Sequence, residues 1–241
     1  MRSLSASQLV EVWERGVNQH PVDRALTLLS ACCEETTAEL AELSIGRRDA
    51  RLLEAYERIF GPTLEGFAQC PQCGEQFEYR LSTRELALPL PATEQPMVVK
   101  TAETCLRLRP LNSLDLRAAS DSPGVDRAFK LLLERCVMER DDRPGVSLED
   151  LPESALEQIA SCLAQADPLA EILIDLTCCA CSHCWQVLLD IEGFLWAKLS
   201  AMARRLLQQV HALARAYGWS ESDIMALSAV RRQAYLEMVG A

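Results

Sequence analysis

Residues 67–82, FAQCPQCGEQFEYRLS, decide the fold. Phe77, Tyr79 and Leu81 alternate with Gln76, Glu78 and Arg80, the period-2 pattern of a half-buried strand. The turn Cys70-Pro71-Gln72-Cys73-Gly74 precedes it. Residues 172–191, ILIDLTCCACSHCWQVLLDI, repeat the arrangement: an apolar approach, a cysteine-rich turn, and a departing strand in which Trp185, Val187, Leu189 and Ile191 alternate. Aligning Cys70 to Gly74 with Cys178-Cys179-Ala180-Cys181-Ser182 places Phe77 and Trp185 each four residues after the second cysteine.

A Cys-x2-Cys turn puts two sulfurs on one metal, because two intervening residues let backbone N–H groups point at the first thiolate. Glycine after the second cysteine accepts the left-handed backbone such a knuckle needs. Two knuckles supply four thiolates, the tetrahedral set of a closed structural zinc site. The predicted ligands are Cys70, Cys73, Cys178 and Cys181. Such a site leaves no position for water and is structural rather than hydrolytic. It would staple a long insertion at both ends, since 104 residues separate Cys73 from Cys178. Cys181-Ser182-His183-Cys184 offers a second register, in which His183 or Cys184 replaces a ligand. The other reading of these cysteines is reduced core packing without metal.

The composition agrees with a reducing compartment. The 241-residue chain has eleven cysteines, an odd count, and its first residues carry Glu11 and Glu14 where a signal peptide needs an uninterrupted apolar core. A cytosolic start is expected. Lys and Arg number 24 against 35 Asp and Glu, a formal charge of −11, which argues against nucleic-acid coats and anionic membranes. No apolar run approaches the ~18 residues of a membrane span. At 49% apolar and 24% charged residues, the chain has enough core-forming side chains to exclude bulk disorder.

Outward from the two turns the chain reads mainly as helix. Leu9, Val12 and Trp13 share a face, with Val17 extending it. Pro21 opens a second helix carrying Leu26, Leu29 and Cys33. A third follows Gly46 through Leu52, Leu53, Tyr56, Ile59 and Phe60, and Gly61-Pro62 stops it. Residues 87–98, with Pro89, Pro91 and Pro96, read as a connector or edge, and Leu106 and Leu108 as a short strand. Asn112 caps SLDLRAAS. Residues 125–140 read as one helix through Val125, Phe129, Leu132, Leu133, Cys136 and Val137; residues 140–147 read as a loop, and 152–165 as a helix. Trp196, Leu199, Ala203, Leu206, Val210, Leu213 and Tyr217 form a heptad seam suited to packing on another helix. Gly218 ends it, and Ser220 and Ser228 cap two short helices.

No catalytic signature emerges. His20, His183 and His211 lack the spacing of a metalloprotease helix or a nucleophile–base pair, and there is no G-x-G-x-x-G or Walker loop. Glu34-Glu35, Asp141-Asp142 and Glu149-Asp150 read as solvated. Cys-Pro-Gln-Cys resembles a redox turn, yet it precedes a strand instead of opening a helix. The terminal helix pair has the outline of a DNA-reading helix-turn-helix, but Arg231-Arg232 is its only local basic pair and acids surround it.

Ala216-Tyr217-Gly218-Trp219-Ser220-Glu221, then Ile224, Leu227, Ser228, Arg231-Arg232 and Tyr235-Leu236, resemble the ending of a baseplate-associated protein of contractile injection systems, the phage-tail-like particles of bacteria. That family is in turn similar to the baseplate hub assembly chaperones of contractile-tailed phages. Asp23-Arg24-Ala25-Leu26, Gly46-Arg47-Arg48-Asp49-Ala50, the Cys70–Gly74 turn and the stretch from Cys178 through Trp185 to Phe194-Leu195-Trp196 also fit. The likeness touches both ends and both knuckles and is weakest over residues 84–124. The family's second knuckle is Cys-Pro-x-Cys-Gly-His; here Cys179 and Ser182 depart from it, His183 matches, and Cys184 is extra. The resemblance implies a non-enzymatic role, assembling or occupying a baseplate, with baseplate or spike proteins as partners.

The expected fold is α+β, mostly α-helical, with a split zinc-ribbon-like element of two Cys-x2-Cys knuckles on β-hairpins and a helical insertion. The expected parts are an N-terminal helical region (1–62), the split element (63–83 plus 170–193), a mainly helical insertion (84–169), and a long helix with a short helix pair (194–241). The expected function is that of an assembly factor, chaperone or structural component of the baseplate, with one structural zinc. The expected location is the cytoplasm, with no nucleic-acid or membrane partner, and the protein either joins the particle or leaves it. The rivals are a nucleic-acid-binding zinc-ribbon regulator and a thiol oxidoreductase.

Overall fold

The computed structural model describes residues 1–86, 96–100, 105–140 and 151–240. All of the expected loop at 140–147 except Arg140, and most of the 87–98 connector, lie outside them. In chain order the elements begin with α1 (Ala6–Gly16), α2 (Pro21–Cys32), α3 (Thr37–Glu42), α4 (Ile45–Phe60), β1 (Thr63–Gln69), β2 (Gln76–Ser82) and α5 (Thr83–Leu86). They continue with β3 (Met97–Lys100), β4 (Cys105–Leu108), α6 (Ser113–Ser120), α7 (Val125–Cys136), β5 (Val137–Arg140) and α8 (Glu153–Ala166). The last are β6 (Leu173–Thr177), β7 (Cys184–Leu188), α9 (Ile191–Tyr217), α10 (Glu221–Ala226) and α11 (Ala229–Met238). The protein is therefore a mixed, mostly helical molecule with small antiparallel sheets.

Two compact units divide it. One joins both ends of the chain, Met1–Glu35 and Ile191–Ala241; the other is Thr36–Asp190. In the first, α9 packs against α1, α2, α10 and α11. Leu199, Ala203, Leu206 and Leu213 of the heptad seam are buried, joined by Ile191 and Leu195. The seam's partner helices are thus in the same chain. Trp196 lies against Gly16, where a Cβ would come within 2.4 Å of the indole, and the Arg24 guanidinium sits 5.2 Å above the ring. Arg24 also pairs with Glu192 at 3.3 Å. At the end of α9, Leu213 forms a small core with Ile224 and Leu236. Trp219 stacks on Tyr217 at 4.6 Å and meets Tyr235 edge-on at 4.9 Å.

Among the described residues the second unit holds three small sheets: β1-β2, β3-β4-β5 and β6-β7, all antiparallel. In β1-β2, Gly66 faces Tyr79, and a Cβ there would lie 2.5 Å from the phenol ring, so only glycine lets the aromatic cross the strand. The segment between the two cysteine turns, expected to be mainly helical, carries α6, α7 and α8 and also the three-stranded sheet. Val99, Leu106, Leu108, Leu133, Cys136 and Ile159 make its core. The helix expected over 125–140 ends at Cys136, and Val137 to Arg140 turn into β5 alongside β4. The apolar spacing of Val137 matches the helix, but pairing with Leu108 supplies backbone partners that a further helical turn would forgo.

One carboxylate organises this core. Asp115 is fully buried, caps α6 by accepting from the Asn112 N–H at 3.0 Å, and accepts from Arg109 at 2.6 and 2.9 Å and from Arg135 at 2.7 Å. Burial alone raises its pKa; the Arg109 hydrogen bonds, the Asn112 N–H and Arg135 overcome this and hold it below the usual carboxylate value.

Candidate metal centre

The two cysteine turns close two hairpins of equal design. Gln69 pairs with Gln76 and Thr177 with Cys184, so each turn holds six residues, 70–75 and 178–183. The Cys70 N–H donates to the Glu75 carbonyl at 2.8 Å, and the Cys178 N–H to the His183 carbonyl at 2.9 Å. The Gly74 N–H donates to the Cys70 carbonyl at 2.9 Å, and the Ser182 N–H to the Cys178 carbonyl at 3.0 Å. Gly74 has φ +77° and Ser182 φ +58°. Both of these backbone bonds recur 108 positions later, so the turns share a backbone path as well as the cysteine spacing.

The structure brings together the four predicted ligands. The sulfurs of Cys70, Cys73, Cys178 and Cys181 all lie within 4.8 Å of one another. Cys70 Sγ is 3.6 Å from Cys181 Sγ, and Cys73 Sγ is 3.6 Å from Cys178 Sγ. Metal–sulfur bonds of about 2.3 Å in a tetrahedron put sulfurs about 3.8 Å apart. A disulfide needs about 2.05 Å, so these are not covalent pairs. The two contacts exchange under the 108-residue offset, as in an isologous interface. Phe77 and Trp185, aligned in the sequence, meet edge-on at 5.9 Å.

The electrostatics also fit a cation. The Cys181 and Ala180 backbone N–H groups hold the Cys178 thiol down at about 7, and the Ala180 nitrogen lies 3.4 Å from Cys178 Sγ. Glu75 and His183 donate backbone bonds to Cys73 and Cys181, which by themselves would lower those thiols. The neighbouring sulfurs and burial outweigh this, and Cys73 is pushed up to about 12. Four thiolates this close would repel one another; a divalent ion bound by the four cysteines would offset that repulsion and displace the protons of their thiols. Cys70 and Cys178 are buried, while Cys73 and Cys181 are exposed.

His183 and Cys184 lie outside the group of four. The His183 ring stacks on Trp185 at 5.8 Å, and Cys184 Sγ is 3.5 Å from Thr177 Oγ1. Away from the turns, Cys32, Cys33 and Cys136 are buried. Burial pushes Cys32 and Cys136 each to about 11, so both are neutral thiols. Of the terminal basic pair, Arg232 is buried, donating to Gln209 Oε1 at 2.8 Å and to the Leu227 carbonyl at 3.1 Å. Among the described residues, no helix is long and apolar enough to cross a membrane.

Fold and site together define a mostly helical protein with a four-cysteine cluster able to take one metal ion. Compared with protein-family models, curated proteins and solved structures, the chain matches none of them.

Proposed function

We propose that the chain is a non-enzymatic assembly factor or structural component of the baseplate of a phage-tail-like contractile injection system, held together by one structural zinc. On this reading the two cysteine hairpins are a split zinc ribbon, with Cys70, Cys73, Cys178 and Cys181 as ligands. The observation that carries the metal part is the meeting of four sulfurs from turns 104 residues apart. All four positions of a tetrahedral ion would be filled by protein, which suits a staple and leaves no site for substrate or water.

The baseplate part rests on the resemblance of the tail and of both knuckles. It is supported by what those residues do: Trp219, Ile224, Tyr235 and Leu236 pack around Leu213 at the end of α9, a built element rather than a loose extension. An acidic molecule whose one terminal arginine pair is half consumed internally suits a protein partner better than nucleic acid.

Two measurements test the reading. Elemental analysis of the purified chain is expected to give one zinc per molecule; a folded preparation without metal removes the staple. Co-expression with baseplate and spike proteins of a contractile cluster is expected to yield a co-purifying complex. Particles that assemble normally in a strain lacking this chain would remove the assembly role.

A further inference from the structure

The second cysteine hairpin carries two thiols that the first does not. Where the first has Pro71 and Gln76, the second has Cys179 and Cys184, and both are exposed. Two of the four clustered cysteines, Cys73 and Cys181, are exposed as well. An oxidant in solvent therefore reaches the centre from outside, and it reaches one member of each close sulfur pair. Those pairs, Cys70 with Cys181 and Cys73 with Cys178, both run between hairpins. Closing either to a disulfide shortens its 3.6 Å separation to about 2.05 Å.

We infer that the tetrathiolate joint is redox-exchangeable: hydrogen peroxide displaces its ion and closes Cys70–Cys181 and Cys73–Cys178 as disulfides, so that the hairpins stay joined. The inference rests on the reading of the cluster as a zinc site. In each half, the exposed thiolate attacks a peroxide oxygen; the S–O bond forms, the O–O bond breaks, and hydroxide leaves and takes a proton. The partner thiolate then attacks the sulfenic sulfur, forming S–S and expelling a second hydroxide, which is also protonated. Over both halves, four thiolates lose four electrons, two peroxides and four protons become four waters, and one zinc ion is freed. Because each link crosses from one hairpin to the other, the joint closed by the ion becomes a joint closed by covalent bonds. Links within a turn would instead free the hairpins from each other.

The experiment uses the full chain, purified under reducing conditions and loaded with zinc. Peroxide is titrated while a colorimetric chelator reports free zinc, and non-reducing peptide mass spectrometry maps the links. The expected result is complete loss of zinc at two peroxides per chain, both cross-hairpin links, an unchanged far-ultraviolet circular dichroism spectrum, and reversal by dithiothreitol with added zinc. The double variant Cys179→Ser, Cys184→Ser is expected to give the same links. Links of Cys70 with Cys73 or of Cys178 with Cys181, links to Cys179 or Cys184, or sulfinic acid without links overturn the exchange while leaving the zinc reading intact. A reduced chain that binds no zinc overturns both.

Discussion

Ser182 and Gly74 show what one side chain costs in a shared backbone. Both sit at positive φ after the second cysteine of their turns, and Ser182 is the one non-glycine residue with positive φ among the described residues. A Cβ in the left-handed region costs roughly 1 kcal/mol. Ser182→Gly is therefore expected to stabilise the zinc-loaded chain by about 0.5–1 kcal/mol, and Gly74→Ala to destabilise it by about 1 kcal/mol, by urea denaturation. Asp115 supplies a pH-dependent contribution. Its folded pKa lies below the unfolded value, so its stabilisation is complete above about pH 4 and is lost as pH falls through the depressed value. Asp115→Asn strands two guanidiniums and is expected to cost about 3 kcal/mol at pH 7. Denaturation at pH 7 and pH 3 should show the wild-type advantage shrinking with acid.

Among the elements, helix starts were the most readable. Asn112, Ser220 and Ser228 each accept a backbone N–H at the start of their helix, and Pro21 occupies the first position of α2. The helix α3 escaped the apolar-period reading because it is six residues long, yet its capping box was legible: Thr36 and Glu39 bond each other's backbone. The end of α7 was not legible, because the residues that pull 137–140 into a strand lie in β4, about thirty positions earlier. Helix crossings have their own constraint at Gly16, where Trp196 fills the space of a side chain. Gly16→Ala is expected to destabilise by about 1–3 kcal/mol through the displaced indole, with a blue-shifted or weakened tryptophan signal lost at lower urea.

For the whole molecule, the hairpins β1-β2 and β6-β7 are two-stranded sheets, a kind that is marginal alone in water. Their joint is the four-sulfur cluster with Phe77 on Trp185. Removing it with Cys73→Ser and Cys178→Ser is expected to lower stability by several kcal/mol, since structural zinc contributes on the order of 10 kcal/mol in small metal-folded domains. Limited proteolysis should then cut within 63–82 and 173–188 first, while α9 retains its helical signal. Equal protease resistance in the wild type and in the Cys73→Ser, Cys178→Ser variant would show that packing alone holds the hairpins.

By itself the sequence determined the local features. Its alternation marked the strand leaving each cysteine turn, although the second ends at Leu188 and Ile191 already opens α9; its serines, asparagine and proline marked helix starts, and the 108-residue echo singled out the four cysteines. These signals lie within a few residues of one another, where backbone sterics and side-chain caps act. Only the tertiary structure decided which sulfurs approach, that His183 turns to Trp185 instead, that Asp115 gathers Arg109 and Arg135, and that the seam of α9 is covered by helices from the opposite end of the chain. Each of these joins residues far apart in the chain, and the burial that fixes them exists only once the chain has folded.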